Sequence, residues 1–160
     1  MPQVGDIAPD FMLPNQDGHL VKFSDIYKKS GVVLFFYPKD GSPGCTREAC
    51  GMRDAHGELG RLGYAVVGVS ADTVRSHKMF AERNSLPYLL LSDPTKKVAE
   101  MYDALSLFKV FVRRVTYVID KGGTIKFIYK GLNPSSHVRE VLNFIKRDLS
   151  QRSQQGTGTS

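Results

Sequence analysis

The sequence predicts an α/β fold with a central mixed sheet flanked by helices and an N-terminal β-hairpin. Three observations carry this expectation. Short apolar runs at Val32–Tyr37, Ala65–Val69 and Leu89–Leu91 alternate with helix-patterned segments. Two further alternating runs, Val115–Asp120 and Thr124–Tyr129, flank the turn Lys121-Gly122-Gly123 and read as an antiparallel pair. A helical stretch then closes the chain.

Taken in order, Phe11–Leu13 and His19–Phe23 lie on either side of Asp17-Gly18, a hairpin signal. Val32–Tyr37 is apolar throughout, as a strand covered on both faces must be. A helix is expected from about Cys45 to Arg61, because Ala49, Met52, His56 and Leu59 recur at spacings of three and four. Cys45 shares that inward stripe and Cys50 does not. Ala65–Val69 reads as a buried parallel strand, and Ser70-Ala71-Asp72 opens a helix through about Arg83. Leu89–Leu91 is stopped by Ser92-Asp93-Pro94, and a helix follows near Lys96–Tyr102. The last helix is expected over about Ser135–Arg147. This layout is that of a thioredoxin-like α/β sandwich without internal repeats.

At 160 residues the chain suits one domain, taken as residues 1–149. The polar stretch Ser150–Ser160, rich in Gly, Ser, Thr and Gln, is expected to be a disordered tail. No apolar run approaches membrane-spanning length and the N-terminus lacks a signal-peptide pattern, so no membrane association is expected and the expected compartment is the cytoplasm. The net charge of +6 is spread along the chain, and the group Lys146, Arg147 and Arg152 reads as a solvated helix end, so no nucleic-acid partner is expected. Two cysteines without matching histidines fall short of a zinc site. His19, His56, His77 and His137 are scattered and read as surface or satisfied residues; no metal or cofactor is expected.

The most informative stretch is Pro38-Lys39-Asp40-Gly41-Ser42-Pro43-Gly44-Cys45-Thr46-Arg47-Glu48-Ala49-Cys50, which holds both cysteines of the chain. It follows a strand and opens a helix, with Cys45 in the first turn. Unpaired backbone N–H groups and the positive end of the helix dipole converge there and favour the thiolate, the nucleophilic form.

Pro38, Ser42 and Cys45 stand in the register Pro-x-x-x-Thr/Ser-x-x-Cys, and the stretch resembles the active site of the peroxiredoxins. Cys45-Thr46-x-Glu48-Ala49-Cys50 is similar to the peroxiredoxin Q branch, also called bacterioferritin comigratory protein. Gly5-Asp6-x-Ala8-Pro9-Asp10-Phe11, Leu91-Ser92-Asp93-Pro94 and Arg114-x-Thr116-Tyr117-Val118-Ile119-Asp120 extend the resemblance over about residues 4–148.

That resemblance implies a thiol-dependent peroxidase acting on hydrogen peroxide and organic hydroperoxides, without metal, flavin or haem. Cys45 would attack the O–O bond. Ser42 would offer its hydroxyl to thiolate and peroxide where many relatives carry Thr, and Pro38 would shield the thiolate from water. Simple termination of the preceding strand is the alternative role for Pro38. Glu48 looks like the glutamate that orients the family's arginine; the alternative is an exposed first-turn acid. That arginine would be Arg114, while Arg113 should face the other side of its strand.

Attack converts Cys45 to a sulfenic acid, and the resemblance implies that Cys50 condenses with it to a disulfide that thioredoxin or a similar dithiol reductant reduces. Resolution by an external thiol or a second subunit, with Cys50 a spectator, is the alternative. Residues i and i+5 of an ideal helix lie roughly 8–9 Å apart at Cα, beyond the roughly 7 Å limit for a disulfide. The helix is therefore expected to unwind around 45–51, and Gly51, Gly57 and Gly60 read as weakening it.

A dithiol oxidoreductase is the nearest enzymatic rival, but that chemistry normally uses Cys-x-x-Cys. A peroxide sensor or redox-regulated binding module on the same fold is the non-enzymatic alternative. A monomer or weak homodimer is expected, and a plastid location is the alternative should a transit peptide have been removed.

Overall fold

The computed structural model describes residues 1–157, with side chains described through 154. Strands β1 (Met12–Pro14) and β2 (Leu20–Lys22) pair antiparallel as the N-terminal hairpin. A short helix, α1 (Phe23–Tyr27), leads to β3 (Gly31–Phe36), α2 (Pro43–Arg61), β4 (Tyr64–Ser70), α3 (Val74–Asn84) and β5 (Leu89–Ser92). Then come α4 (Lys97–Met101), β6 (Val115–Ile119), β7 (Ile125–Lys130) and α5 (Pro134–Thr157). The main sheet has the order β5-β4-β3-β6-β7, with β3, β4 and β5 parallel and β6 and β7 antiparallel to their neighbours.

The all-apolar run of β3 has a direct cause: its six residues are all buried between two cores. On one face Val32, Leu34 and Phe36 pack with Phe11, Phe23 and Tyr102, under the hairpin, α1 and α4. On the other, Val33 and Phe35 pack with Met52, Leu59, Phe80 and Val141, under α2, α3 and α5. Gly68 of β4 makes that second layer close: a Cβ there would stand 2.9 Å from the Phe35 ring.

Alternation along β6 sorts its side chains between these cores. Val115 and Tyr117 join the first and Val118 the second, so Arg114 and Thr116 point toward the α2 and α5 face and Arg113 away from it.

Three elements depart from the sequence reading. Helix α1 was not foreseen; five residues are too few to show helical periodicity. Helix α3 begins later than Ser70, because Thr73 caps it by accepting the Ser76 N–H at 3.1 Å, while Ser70 and Asp72 hydrogen-bond each other in the preceding loop. Helix α5 runs past Arg147 to Thr157, so the tail expected to be disordered from Ser150 is helical to that point. Arg152 holds the extension with ion pairs to Asp148 one turn back (3.1 Å) and to Asp120 beyond β6 (3.0 Å). Residues 158–160 of that expected tail lie outside the described residues.

Candidate active site

The site forms where β3 hands over to α2. Ser42 is the N-cap: its Oγ accepts the Cys45 N–H at 3.4 Å and donates to the Lys39 carbonyl at 3.1 Å. Pro43, with no N–H to leave unpaired, opens the helix, and Cys45 falls in its first turn. Cys45 is 1% exposed and Cys50 half-buried; both are free thiols. The expected split between an inward and an outward cysteine is therefore present. Ser42 differs in detail from expectation, since its hydroxyl proton points to the Lys39 carbonyl.

The loop before α2 is tied to the body of the protein. The Asp40 carboxylate accepts the Tyr37 hydroxyl (2.6 Å) and the Ser76 hydroxyl (2.8 Å), and contacts His77 Nδ1 at 2.7 Å. His77 Nε2 donates to the Leu91 carbonyl, and the Asp40 N–H donates to Asp72. His77 is thus a satisfied buried residue, as expected, and its partners fix the loop that carries Pro38 and Ser42. Burial, reinforced by Asp40, holds the Tyr37 hydroxyl well above its usual range, so it stays a donor.

Arg114 reaches this centre from the start of β6. Its Nη1 donates to Glu48 Oε1 at 2.8 Å and its Nη2 to Cys45 Sγ at 3.6 Å. Arg113 turns the other way, toward the Asp103 carbonyl at 2.8 Å. Gly44 leaves the space that the guanidinium crosses: a Cβ there would lie 3.2 Å from Arg114 Nη2 and 3.3 Å from Pro134 Cγ.

Glu48 is wholly buried, which sets aside the reading of an exposed first-turn acid. Burial raises its carboxyl to about 7, against the opposing pull of the Arg114 charge and hydrogen bond. Its Oε2 lies 3.6 Å from Nδ1 of His137 on α5 and has no hydrogen-bond partner among the described residues. His137 Nε2 donates to the Gly131 carbonyl at 2.7 Å, and Nδ1 meets Thr116 Oγ1 at 2.8 Å. Burial also lowers the His137 imidazole, so it works against charge on both partners of this contact.

A cleft of about 410 Å³ opens beside Arg114, lined by Pro38, Phe111, Val112, Arg113 and Leu132 among others. Leu107, Phe108, Val110, Phe111 and Leu132 are all more than half exposed.

The structure brings together Cys45, Ser42, Pro38, Glu48 and Arg114. His137, Thr116, Gly44 and the Asp40–His77 pair were missed as contributors. The histidines alone offered a hint, as titratable residues without an assigned task.

The AhpC/TSA family model matches residues 4–128. The chain belongs to the AhpC/TSA family. Peroxiredoxin Bcp of Bacillus subtilis is 40% identical over 94% of this chain and 98% of its own length. Chloroplastic peroxiredoxin Q of Triticum aestivum is 42% identical over 89% of this chain, which spans 66% of that relative. Among solved structures, peroxidoxin BcpB of Mycobacterium tuberculosis superimposes with a TM-score of 0.86 at 34% identity, over 92% of this chain and 98% of that one. The fold is accordingly the thioredoxin-like fold of peroxiredoxins, and the protein is a thiol-dependent peroxidase, an oxidoreductase that draws on an external reductant. No described helix is long and apolar enough to cross a membrane.

Proposed function

We propose that this peroxidase reduces hydrogen peroxide and organic hydroperoxides with Cys45 as nucleophile and Cys50 as resolving thiol. The observation that carries this reading is Arg114, which joins Cys45 Sγ to the buried Glu48 from 69 residues away in sequence. The Cys45 thiolate attacks the terminal peroxide oxygen, the O–O bond breaks, and the sulfur becomes a sulfenic acid. The electron pair leaves on the other oxygen, which takes a proton from solvent to give water or an alcohol. Arg114 and the first-turn N–H groups of α2 stabilise the charge on both oxygens.

Ser42 supplies a further donor once its hydroxyl swings from the Lys39 carbonyl toward the substrate. Pro38, at the rim of the cleft, limits water at the thiolate. The exposed apolar side chains around the cleft favour an alkyl substituent on the peroxide.

The Cys50 thiolate then attacks the sulfenic sulfur, forming the Cys45–Cys50 disulfide as the S–O bond breaks and the departing hydroxide takes a proton from solvent to become water. Both residues sit within continuous α2, so closure needs local unwinding. Thioredoxin, or a dithiol protein like it, reduces the disulfide and resets the helix. We place this cycle in the cytoplasm, with the plastid as the alternative suggested by the chloroplastic relatives.

The test is a coupled assay with peroxide, thioredoxin, thioredoxin reductase and NADPH. Sustained turnover lost in Cys45→Ser, with Cys50→Ser limited to roughly one turnover, supports the scheme. Turnover that survives Cys45→Ser sinks the assignment of the nucleophile.

A further inference from the structure

We propose that His137 is a positioning residue for the peroxidase: with Glu48 it holds one buried proton, and the presence of that proton leaves the Arg114 charge to Cys45 and its substrate. The inference rests on the peroxidase reading and goes beyond it by assigning a task to α5.

The geometry limits where the proton can sit. The Gly131 carbonyl can only accept, so His137 Nε2 carries its hydrogen and Nδ1 is the ring atom free to gain or lose one. Nδ1 faces two groups, Thr116 Oγ1 at 2.8 Å and Glu48 Oε2 at 3.6 Å. The Thr116 hydroxyl suits either state, donating to a bare Nδ1 and accepting from a protonated one.

Glu48 Oε1 is held by Arg114, whereas Oε2 is buried without a hydrogen-bond partner among the described residues. A buried carboxylate oxygen left so is costly, and a proton on Oε2 removes its charge while Thr116 donates to the bare Nδ1.

The charged and titratable groups around the pair are few. Arg114 comes from the lead into β6 and Cys45 from α2; the Tyr88 hydroxyl approaches from before β5 and the Tyr129 ring edge from β7. Arg114 is the one cation in this set, and it contacts both Glu48 and Cys45. With the pair protonated, one anion competes for the guanidinium. With the proton gone, two anions share it, and less of its charge meets the oxygen that leaves the peroxide. The raised Glu48 carboxyl and lowered His137 imidazole agree with a proton resident on Glu48.

The experiment combines stopped-flow oxidation by hydrogen peroxide with imidazole ¹⁵N NMR of reduced protein, both as functions of pH. The rate constant is expressed per Cys45 thiolate, followed by its ultraviolet absorbance. In wild type this constant is expected to fall roughly tenfold across the pair's titration, and the His137 Nδ1 resonance should move with the same midpoint while Nε2 stays protonated. Glu48→Gln, permanently uncharged, should lose both transitions.

Thr116→Val frees Nδ1 for Glu48 and should carry both midpoints to higher pH, together. A fall that persists in Glu48→Gln, a wild-type Nδ1 that does not move, or Thr116→Val midpoints that stay put or separate overturns the proposal. Should Glu48→Gln not fold, the wild-type NMR titration and Thr116→Val each still decide it. The NMR arm needs no peroxide, so wild type that fails to react with peroxide while Nδ1 titrates counts against the peroxidase reading and not against the shared proton.

Discussion

The Tyr88 hydroxyl donates to the carbonyl of Ala49 at 2.7 Å, one residue before Cys50, and so latches the segment of α2 that the proposed Cys45–Cys50 closure would open. Burial holds that phenol far above its usual range, and it remains a donor at any working pH. Tyr88→Phe should cost about 1 kcal/mol of stability, the net worth of one buried hydrogen bond. Amide exchange over residues 45–51 should quicken, and the Cys45–Cys50 bond should form faster after a peroxide pulse. Unchanged exchange in this segment would show that the latch does not govern opening.

Arg114→Lys keeps a cation but removes the planar fork that meets Glu48 Oε1 and Cys45 Sγ together. Oxidation of Cys45 should slow by about 10²–10³-fold, the usual effect of removing one preorganised donor to a developing oxyanion. Stopped-flow oxidation under single-turnover conditions checks this.

Gly44→Ala should act through the same guanidinium. The new methyl would stand 3.2 Å from Nη2 and 3.3 Å from Pro134, so either the arginine or α5 must shift. The expected outcome is an intact fold by circular dichroism with slower Cys45 oxidation. A rate equal to wild type would mean that the site absorbs the methyl freely.

The Glu48 carboxyl, raised by burial from 4.5 to about 7, makes stability depend on pH. Between those values the folded protein keeps a proton that the unfolded chain has released. The folded state is thus favoured most below the unfolded value, and that advantage is lost as pH rises through about 7. Each unit of such a shift is worth about 1.4 kcal/mol. Denaturation midpoints should fall over this range in wild type and less steeply in Glu48→Gln.

Asp40→Ala should cost about 3–5 kcal/mol, because it strips a buried partner from His77, Tyr37 and Ser76 at once. Thermal denaturation measures the loss, and slower Cys45 oxidation would follow from a looser loop before α2.

Much of this architecture could be read from pattern alone. The runs that became β3, β4 and β5 are apolar because both faces are covered, and the Pro38, Ser42, Cys45 spacing announced the strand-to-helix turn. The resemblance picked out Arg114 by its place two residues before Thr116, and alternation put Arg113 on the other side of the strand. What pattern could not supply is contact across long separations. Thr116 and His137 meet from 21 residues apart and Tyr88 and Ala49 from 39, and no local period links one partner to the other. Gly51 has a second role that pattern did not show: a Cβ there would stand 3.0 Å from Val138, so its smallness lets α5 approach.

The separation of Cys45 and Arg114 by 69 residues has one more consequence. The proposed nucleophile lies in the first third of the chain and the arginine beside it in the last, so a chain still emerging from the ribosome, or one that has come apart, would carry a cysteine without that cation. On the proposed assignment, the Arg114 contact that activates Cys45 arrives only with the finished fold. A small dose of oxidant would therefore count native molecules and pass over unfolded ones.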